Sequence, residues 1–144
     1  MINNKAPVKF HQLRPFHLPE KRRLKIFLRD LMNNEKKDFD SLDYIFCDDA
    51  FLLKINQDFL HHNDLTDIIT FDLAEKHQYT KGEVYISVER VRDNASDLKV
   101  AFQEELHRVI FHGALHLCGY TDKTGQTRKQ KREKEDFYLS SYFK

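Results

Sequence analysis

Residues 112–122 have the sequence HGALHLCGYTD and follow an amphipathic run that begins at Ala101. Apolar residues recur in this region at helical spacing, at Phe102, Leu106, Val109, Ile110 and Leu117. Gly119 stands just past the last of them, at the place where a left-handed glycine commonly ends a helix. The sequence therefore predicts a helix that ends at a glycine and a short loop that leads to Asp122.

Two histidines and one carboxylate are placed to meet at the end of this helix. His112 and His116 are four residues apart, so their side chains lie on the same helix face. Asp122 lies beyond the glycine, where the chain can fold back toward that face. Imidazole and carboxylate groups together bind zinc, or another divalent ion, and leave a position for water. We therefore predict a metal site formed by His112, His116 and Asp122.

An alternative interpretation treats both residues as ordinary core histidines with backbone partners, because a His-x-x-x-His pair alone is a weak signal. Two features favour a metal. Residues 109–118 are apolar almost all round, so polar groups buried there need partners, and Asp122 adds a third ligand. In the helix of zinc proteases a glutamate follows the first histidine. Gly113 takes that position here, which removes the protease base and which we expect to let a substrate approach the helix closely.

The pattern His-Gly-x-Leu-His-Leu-x-Gly-Tyr over residues 112–120 resembles the signature of the YbeY family, the bacterial endoribonucleases that mature ribosomal RNA. Two earlier stretches resemble the family in the same order. Ile55–Asn56 followed by Thr66–Phe71 is similar to its Leu-Asn…Thr-Asp-Val-Leu-Ser-Phe strand, and Gly82–Ser87 is similar to its Gly-Asp-Ile-x-Ile-Ser strand. The resemblance covers roughly residues 55–122.

The resemblance implies a metal-dependent endoribonuclease of ribosomal RNA processing and ribosome quality control. Its substrate would be single-stranded RNA, at the 3′ end of 16S ribosomal RNA in the small ribosomal subunit. His112 and His116 would be catalytic metal ligands, and a bound Zn²⁺ would activate water for attack on a phosphodiester. Two positions depart from the family: Asp122 replaces the usual third histidine, and Leu60 replaces an arginine. His61 and His62 are either substitutes for that arginine or ordinary loop residues.

The residue that would act as general base stays open among Asp67, Glu105 and His107. The simpler interpretation of Asp67 is a carboxylate that caps the start of a strand, and the alternative is a group that orients a histidine ligand. Two other classes of function also stay open. One is a non-catalytic ribosome assembly factor with a structural metal, and the other is a metal hydrolase of a different substrate.

The charge of the chain is nearly balanced, but two segments are rich in basic residues. The net charge of +1 argues against wholesale binding of nucleic acid through a broadly basic surface. Basic residues near the start of the first helix and along the last one could contact RNA phosphates or simply be solvated. They are Lys21, Arg22, Arg23, Lys25, Arg128, Lys129, Lys131, Arg132 and Lys134.

The composition suits a cytoplasmic protein without a membrane segment. Two cysteines, Cys47 and Cys118, do not make a disulfide framework. Residues 1–5 lead to no apolar core of a signal peptide, and no apolar run approaches the roughly 20 residues of a membrane span. With 144 residues, 40% of them hydrophobic and 33% charged, we expect one globular domain over residues 1–144.

The order of strand and helix patterns predicts an α+β fold, with a mixed four-stranded sheet and the metal-site helix in the core, as in zincins. We predict strands within residues 5–16, 43–47, 66–73 and 82–88, and helices over 18–33, 48–59, 89–97, 101–118 and 127–142. Residues 35–40 are predicted to form a polar loop and residues 94–99 a break. A hairpin-like connection with an exposed His77 is expected over 75–81.

Overall fold

The computed structural model describes residues 7–73 and 80–144, so most of the connection predicted around His77 lies outside the described residues. Within them the chain forms nine helices and strands. These are β1 (Val8–Gln12), α1 (Lys21–Asn34), β2 (Phe39–Cys47), α2 (Asp49–Leu60), β3 (Ile68–Asp72), β4 (Thr80–Ser87), α3 (Val88–Leu98), α4 (Phe102–Leu117) and α5 (Gly125–Tyr142). The predicted order of strands and helices is confirmed.

The four strands form one mixed sheet in the order β1-β2-β4-β3. β1 and β4 both run parallel to the central β2, whereas β3 runs antiparallel to β4. The parallel pairing places Ile45 beside Tyr85, and the antiparallel pairing places Ile69 beside the same Tyr85. The predicted α+β class with a mixed four-stranded sheet is confirmed, as is the antiparallel pairing of the third and fourth strands.

Two predicted irregular segments are wrong. The loop expected over residues 35–40 ends early, because β2 begins at Phe39, whose side chain is fully buried. The break expected over residues 94–99 is mostly helical, since α3 continues to Leu98 and buries Val91 and Ala95 on one face. Burial of that face outweighs the low helix propensity of its polar residues. The chain leaves the helix only at Lys99, which adopts a left-handed conformation with φ 59°.

The main core lies between the sheet and α4, with α1, α3 and α5 around it. Alternate residues of β2 and β4 point to this face, as expected for strand geometry, and they include Tyr44, Phe46 and Val84. The hydroxyl of Tyr44 donates a hydrogen bond of 2.7 Å to the carbonyl of Ile110, which fixes α4 against β2 from inside the core. The opposite face of the sheet carries a smaller cluster formed with Leu52 of α2.

The helix α5 closes the structure on the outer side of α4. Its buried residues recur at helical spacing and comprise Lys131, Glu135, Tyr138, Leu139 and Tyr142. The ring of Tyr142 packs edge-on against Phe27 of α1, with the two centroids 4.9 Å apart. The face of α5 that meets α4 is therefore apolar at its C-terminal end and carries a lysine and a glutamate nearer its start. In the described part of the chain, no helix combines the length and apolar character needed to cross a membrane.

Candidate metal centre

The end of α4 has the conformation that the glycine predicts. Gly119 has a φ of +105°, which favours a residue without a Cβ atom. The amide of Gly119 donates to the carbonyl of His116 at 3.0 Å, and that of Tyr120 donates to the carbonyl of Leu115 at 3.1 Å. These two bonds form a Schellman motif, which satisfies the last carbonyls of the helix and turns the chain back.

A buried carboxylate anchors the loop that follows. The hydroxyl of Tyr120 donates to Glu35 Oε1 at 2.7 Å, and Tyr138 of α5 donates to the other oxygen of the same carboxylate. Lys134 lies 3.3 Å from that oxygen. Burial opposes the charge on Glu35, but the two hydroxyls and the ammonium outweigh it and lower the pKa of Glu35. The loop is thus fixed between α1 and α5 two residues before Asp122.

His112 is held by α5 through one ring nitrogen. Its Nδ1 lies 2.6 Å from Oε2 of Glu135, a side chain that is only 6% exposed. The Nε2 atom lies 3.1 Å from Nζ of Lys131. An ammonium can only donate and a carboxylate accepts, so these two contacts assign the ring proton to Nδ1 and make Nε2 the acceptor. Its Nε2 therefore presents a lone pair, which is the form of the ring that binds metals.

The third predicted ligand lies beside this lone pair. Asp122 Oδ2 is 3.9 Å from His112 Nε2 and 3.4 Å from Lys131 Nζ. The backbone carbonyl of Asp122 accepts a hydrogen bond of 3.1 Å from Arg128. The turn at Gly119 therefore brings the carboxylate back toward the helix face, as the sequence predicts.

His116 follows His112 by one helical turn, and part of its side chain is open to solvent. Burial of the rest of the ring, followed by the charges of Lys131 and His112, lowers the pKa of His116. Within residues 7–73 and 80–144, no three histidine, cysteine, aspartate or glutamate side chains converge closely enough to hold a metal ion as they stand. The structure brings His112 and Asp122 together, and the full ligand set with His116 stays a prediction.

The residues present nevertheless fit a divalent ion chemically. Metal-bound histidines almost always donate their other ring N–H to a carboxylate or a carbonyl, which fixes the ring and raises its basicity. The Glu135 carboxylate does this to His112. Arg108 in turn donates to Glu135 at 3.3 Å, so the carboxylate is itself held in place.

A polar cavity of about 160 Å³ opens beside His112. Its lining combines carboxylates, two arginines and apolar side chains, namely Asp67, Ile68, Glu105, Arg108, Val109, His112, Arg132 and Glu135. Burial raises the pKa of Asp67, which also accepts a hydrogen bond of 3.4 Å from Asn94. Burial and the nearby Asp67 charge likewise raise the pKa of Glu105. Two of the three candidate general bases therefore share a cavity with a predicted metal ligand.

The third candidate lies elsewhere. His107 is 1% exposed and stacks on Tyr142, with the ring centroids 5.2 Å apart. Its Nδ1 lies 2.7 Å from the carbonyl of Gln103 in its own helix. His107 is therefore a core histidine of the kind considered as the alternative interpretation, and Asp67 and Glu105 remain as candidates for the base.

The expectation that Gly113 lets a substrate approach the helix is wrong. Gly113 is buried and faces the sheet, where an added Cβ would lie 2.8 Å from Val84 Cγ1 and 3.1 Å from Ile68 Cδ1. The missing side chain instead lets α4 approach β3 and β4 closely. This close packing fixes the position of α4, and with it the neighbouring His112, relative to the sheet.

The histidines near the family arginine position are exposed. Leu60 ends α2 with 40% of its surface exposed. His61 caps that helix in a left-handed conformation, with φ 57°, and His62 is exposed as well. Of the basic residues near the start of α1, Arg23 lies over the ring of Tyr142, 4.1 Å from its centroid.

Two important residues of the site were not predicted from the sequence. Glu135 was not among the candidate residues, and Lys131 was expected to contact RNA phosphates or to be solvated, yet Lys131 is 1% exposed. The interpretation of Lys131 as a surface residue is therefore wrong. A signal was available, because both residues share the helical face of Tyr138 and Tyr142. Charged residues on an otherwise apolar face of a helix are expected to be buried and to have partners of opposite charge or hydrogen-bonding groups.

Comparison with solved structures assigns the fold class. The solution structure of TM1509 from Thermotoga maritima is similar to this chain, with a TM-score of 0.66 and 26% sequence identity. The similarity covers 96% of this chain and 89% of that one. The chain is therefore a small α+β protein with the same fold as that structure, and it carries a histidine pair on its central helix α4.

Comparison with families and curated relatives is more specific. A family model described as Endoribonuclease YbeY matches residues 15–143. The Endoribonuclease YbeY of Flavobacterium psychrophilum is 50% identical over 109 residues, which are 76% of this chain and 77% of the relative. That of Flavobacterium johnsoniae is 43% identical over 135 residues, 94% of this chain and 96% of the relative. The chain belongs to the YbeY family of endoribonucleases, which confirms the predicted family and enzyme class, an endoribonuclease and thus a hydrolase.

Proposed function

We propose that this chain is a metal-dependent endoribonuclease that cleaves single-stranded RNA during maturation of the 3′ end of 16S ribosomal RNA. The observation that carries the proposal is the state of His112, whose Nδ1 is held by the buried Glu135 at 2.6 Å while its Nε2 faces Asp122. Membership in a family named for endoribonuclease activity supports the choice of RNA as substrate.

His112, His116 and Asp122 would hold the metal. Two imidazoles and one carboxylate are an accepted donor set for Zn²⁺, and other divalent ions remain compatible with it. When bound, such an ion would supply water activated near neutral pH and positive charge beside a phosphoryl oxygen. Every other contribution comes from side chains of the chain itself.

The cavity next to His112 can position a phosphodiester. Its volume of about 160 Å³ is small, and two arginines line it. Arg108 is committed to Glu135 and Asp136 by contacts of 3.3 and 2.8 Å. Arg132 lines the same cavity and is exposed, so its guanidinium group is available to pair with a phosphate of the RNA backbone. We assign Arg132 to substrate binding.

Asp67 or Glu105 would move the proton during cleavage. Both line the cavity from opposite elements, Asp67 just before β3 and Glu105 in the first turn of α4. Their pKa values are raised, which brings each carboxyl group closer to the operating pH that favours acid–base catalysis. A substrate in the cavity would contact both residues.

The wider biological setting is part of the proposal. We propose that residues 1–144 act as a single domain on the small ribosomal subunit in the cytoplasm, with a role in ribosome quality control. Both described cysteines are free thiols, Cys47 buried and Cys118 half-buried against Met32. Free thiols suit a reducing compartment.

Cleavage of a single-stranded RNA by the purified, zinc-supplemented protein tests the proposal. We expect cleavage by the wild type, loss of cleavage in His116→Ala, and wild-type cleavage in the control His17→Ala, which changes an exposed histidine before α1. Metal analysis should find about one ion per chain in the wild type and less in His116→Ala.

Equal cleavage by the wild type and His116→Ala would refute the metal-dependent reaction. RNA binding without cleavage by the wild type would favour the ribosome assembly factor, in which the metal is structural.

A further inference from the structure

The side chain of Lys131 ends where a metal ion would bind. Its ammonium lies 3.1 Å from His112 Nε2 and 3.4 Å from Asp122 Oδ2, and these two acceptor atoms are 3.9 Å apart. A divalent ion shared by the same two atoms would occupy the space between them. In the structure the ammonium of Lys131 lies within hydrogen-bond distance of both atoms, too close for a metal ion to bind them while the ammonium stays in place.

Lys131 is buried, which shows that its ammonium is held at this position by its neighbours and is not a surface group that happens to lie near them. The side chain is 1% exposed, whereas a lysine normally keeps its ammonium in water and is almost never fully buried unless paired. Burial is tolerable here because His112 and Asp122 accept its hydrogen bonds and because the charge of Glu135 is near. The site thus compensates a buried charge with the very groups that would bind a metal.

Spacing along α5 produces the arrangement. Lys131 and Glu135 are four residues apart and lie on one face of the helix. One contacts His112 Nε2 and the other contacts His112 Nδ1, so a single helical turn holds both nitrogens of the ring. The glutamate holds the ring in the form that binds a metal, whereas the lysine ammonium lies against the two atoms that the metal would bind.

We infer that Lys131 is an internal cation that occupies the metal position of the free protein, so that a divalent ion binds only by displacing its ammonium. The inference rests on the metal site of the proposed function and adds a competitor to it. Displacement costs the hydrogen bonds to His112 and Asp122, so Lys131 weakens metal affinity. A charge-assisted hydrogen bond contributes enough to change an equilibrium about tenfold or more.

Zinc affinity of metal-free protein, measured by competition with a chromophoric chelator at one pH, tests the inference. Lys131→Met keeps the unbranched apolar stem and removes the ammonium, and we expect it to bind Zn²⁺ at least about tenfold more tightly than the wild type. The control Lys129→Met removes an exposed charge from the same helix and should stay within about twofold of the wild type. Lys131→Gln serves as a second variant if circular dichroism shows that Lys131→Met is unfolded.

A second measurement follows the lysine itself. In the metal-free wild type, Lys131 should react slowly with an amine-modifying reagent because it is buried, and saturating Zn²⁺ should make it react faster as Nζ moves toward solvent. Mass spectrometry of the peptide from α5 reports both Lys131 and Lys129, and the exposed Lys129 should react equally with and without zinc.

The outcomes separate this inference from the proposed function. Tight zinc binding by the wild type, lost in His112→Ala but unchanged or weakened in Lys131→Met, would leave the metal site standing and overturn the role of Lys131. Unchanged labelling of Lys131 under saturating zinc would overturn it too. Failure of both the wild type and Lys131→Met to bind zinc would overturn the metal site and the inference together. Binding by Lys131→Met alone would support both.

Discussion

Replacing Glu135 with glutamine removes a charge and leaves the shape of the side chain nearly unchanged. The glutamine oxygen can still accept the Nδ1 proton of His112, which lies 2.6 Å from Oε2 in the wild type. What is lost is the charge-assisted part of that bond and half of the pairing of Arg108, which keeps its 2.8 Å contact with Asp136. The variant should therefore fold, with a ring that is held less firmly and is less basic.

The magnitude follows from the burial of the pair. Glu135 is 6% exposed, so solvent screens little of its interaction with His112. A hydrogen bond to a charged group contributes about 1.5–3 kcal/mol, against about 1 kcal/mol for a neutral one. The difference of about 0.5–2 kcal/mol predicts zinc binding weakened about 2- to 30-fold, which overlaps the range of about 10- to 100-fold typical for partners of metal-bound histidines.

Zinc competition and RNA cleavage measured on the same samples test this value. The matched control is Glu133→Gln, which makes the same charge change at an exposed position of α5 and should alter affinity by less than about twofold. Zinc affinity and cleavage both equal to wild type in a folded Glu135→Gln variant would refute the orienting role of Glu135. A larger loss in the control than in the variant would show that net charge, and not the contact with His112, governs binding.

Two further predictions concern the scaffold. Gly113→Ala should lower the free energy of unfolding by up to about 2 kcal/mol, because the clash with Val84 at 2.8 Å costs about 1–3 kcal/mol and the gain in helix propensity returns about 1 kcal/mol. Urea unfolding measures the change, and a variant more stable than the wild type would show that the sheet rearranges to accept the methyl group. Burial lowers the pKa of His107, although the hydrogen bond to the carbonyl of Gln103 opposes this shift. His107 therefore contributes its full stabilisation of the fold above the unfolded pKa of about 6.5. That contribution is lost as the pH falls through the lower pKa of the folded state. The fall in stability between about pH 7.5 and pH 5 should therefore be smaller in His107→Phe than in the wild type, and identical slopes would contradict it.

Local patterns predicted most of the fold, because most of its elements have strong local signals. Asp48 caps α2 because its carboxylate accepts a hydrogen bond of 2.9 Å from the amide of Phe51. Gly119 ends α4 because a glycine adopts a positive φ without strain. The errors lie where distant packing decides. Phe39 joins β2 because it is buried against the core, although its neighbours Asp38 and Asp40 look like a loop.

Only the part of the site that residues 112–122 supply could be predicted from the sequence. His112 and Asp122 are ten residues apart, and a helix with a glycine turn is enough to bring them together. Lys131 and Glu135 reach His112 from another helix, and no spacing rule gives the rotation of α5 against α4. Their place on the apolar stripe of α5 indicated burial, but not which side chain they would meet.

The Glu35 carboxylate, which joins Tyr120 to Tyr138, bears on whether the histidine motif could be transplanted. A peptide of residues 112–122, or a graft of that peptide onto a foreign helix, would retain every predicted ligand and lose the tether that sets the direction of the loop. It would also lack the α5 side chains on both nitrogens of His112. Searches for such centres in other chains, and attempts to build them, should therefore carry the acidic residue at the end of α1 and the final helix along with the motif.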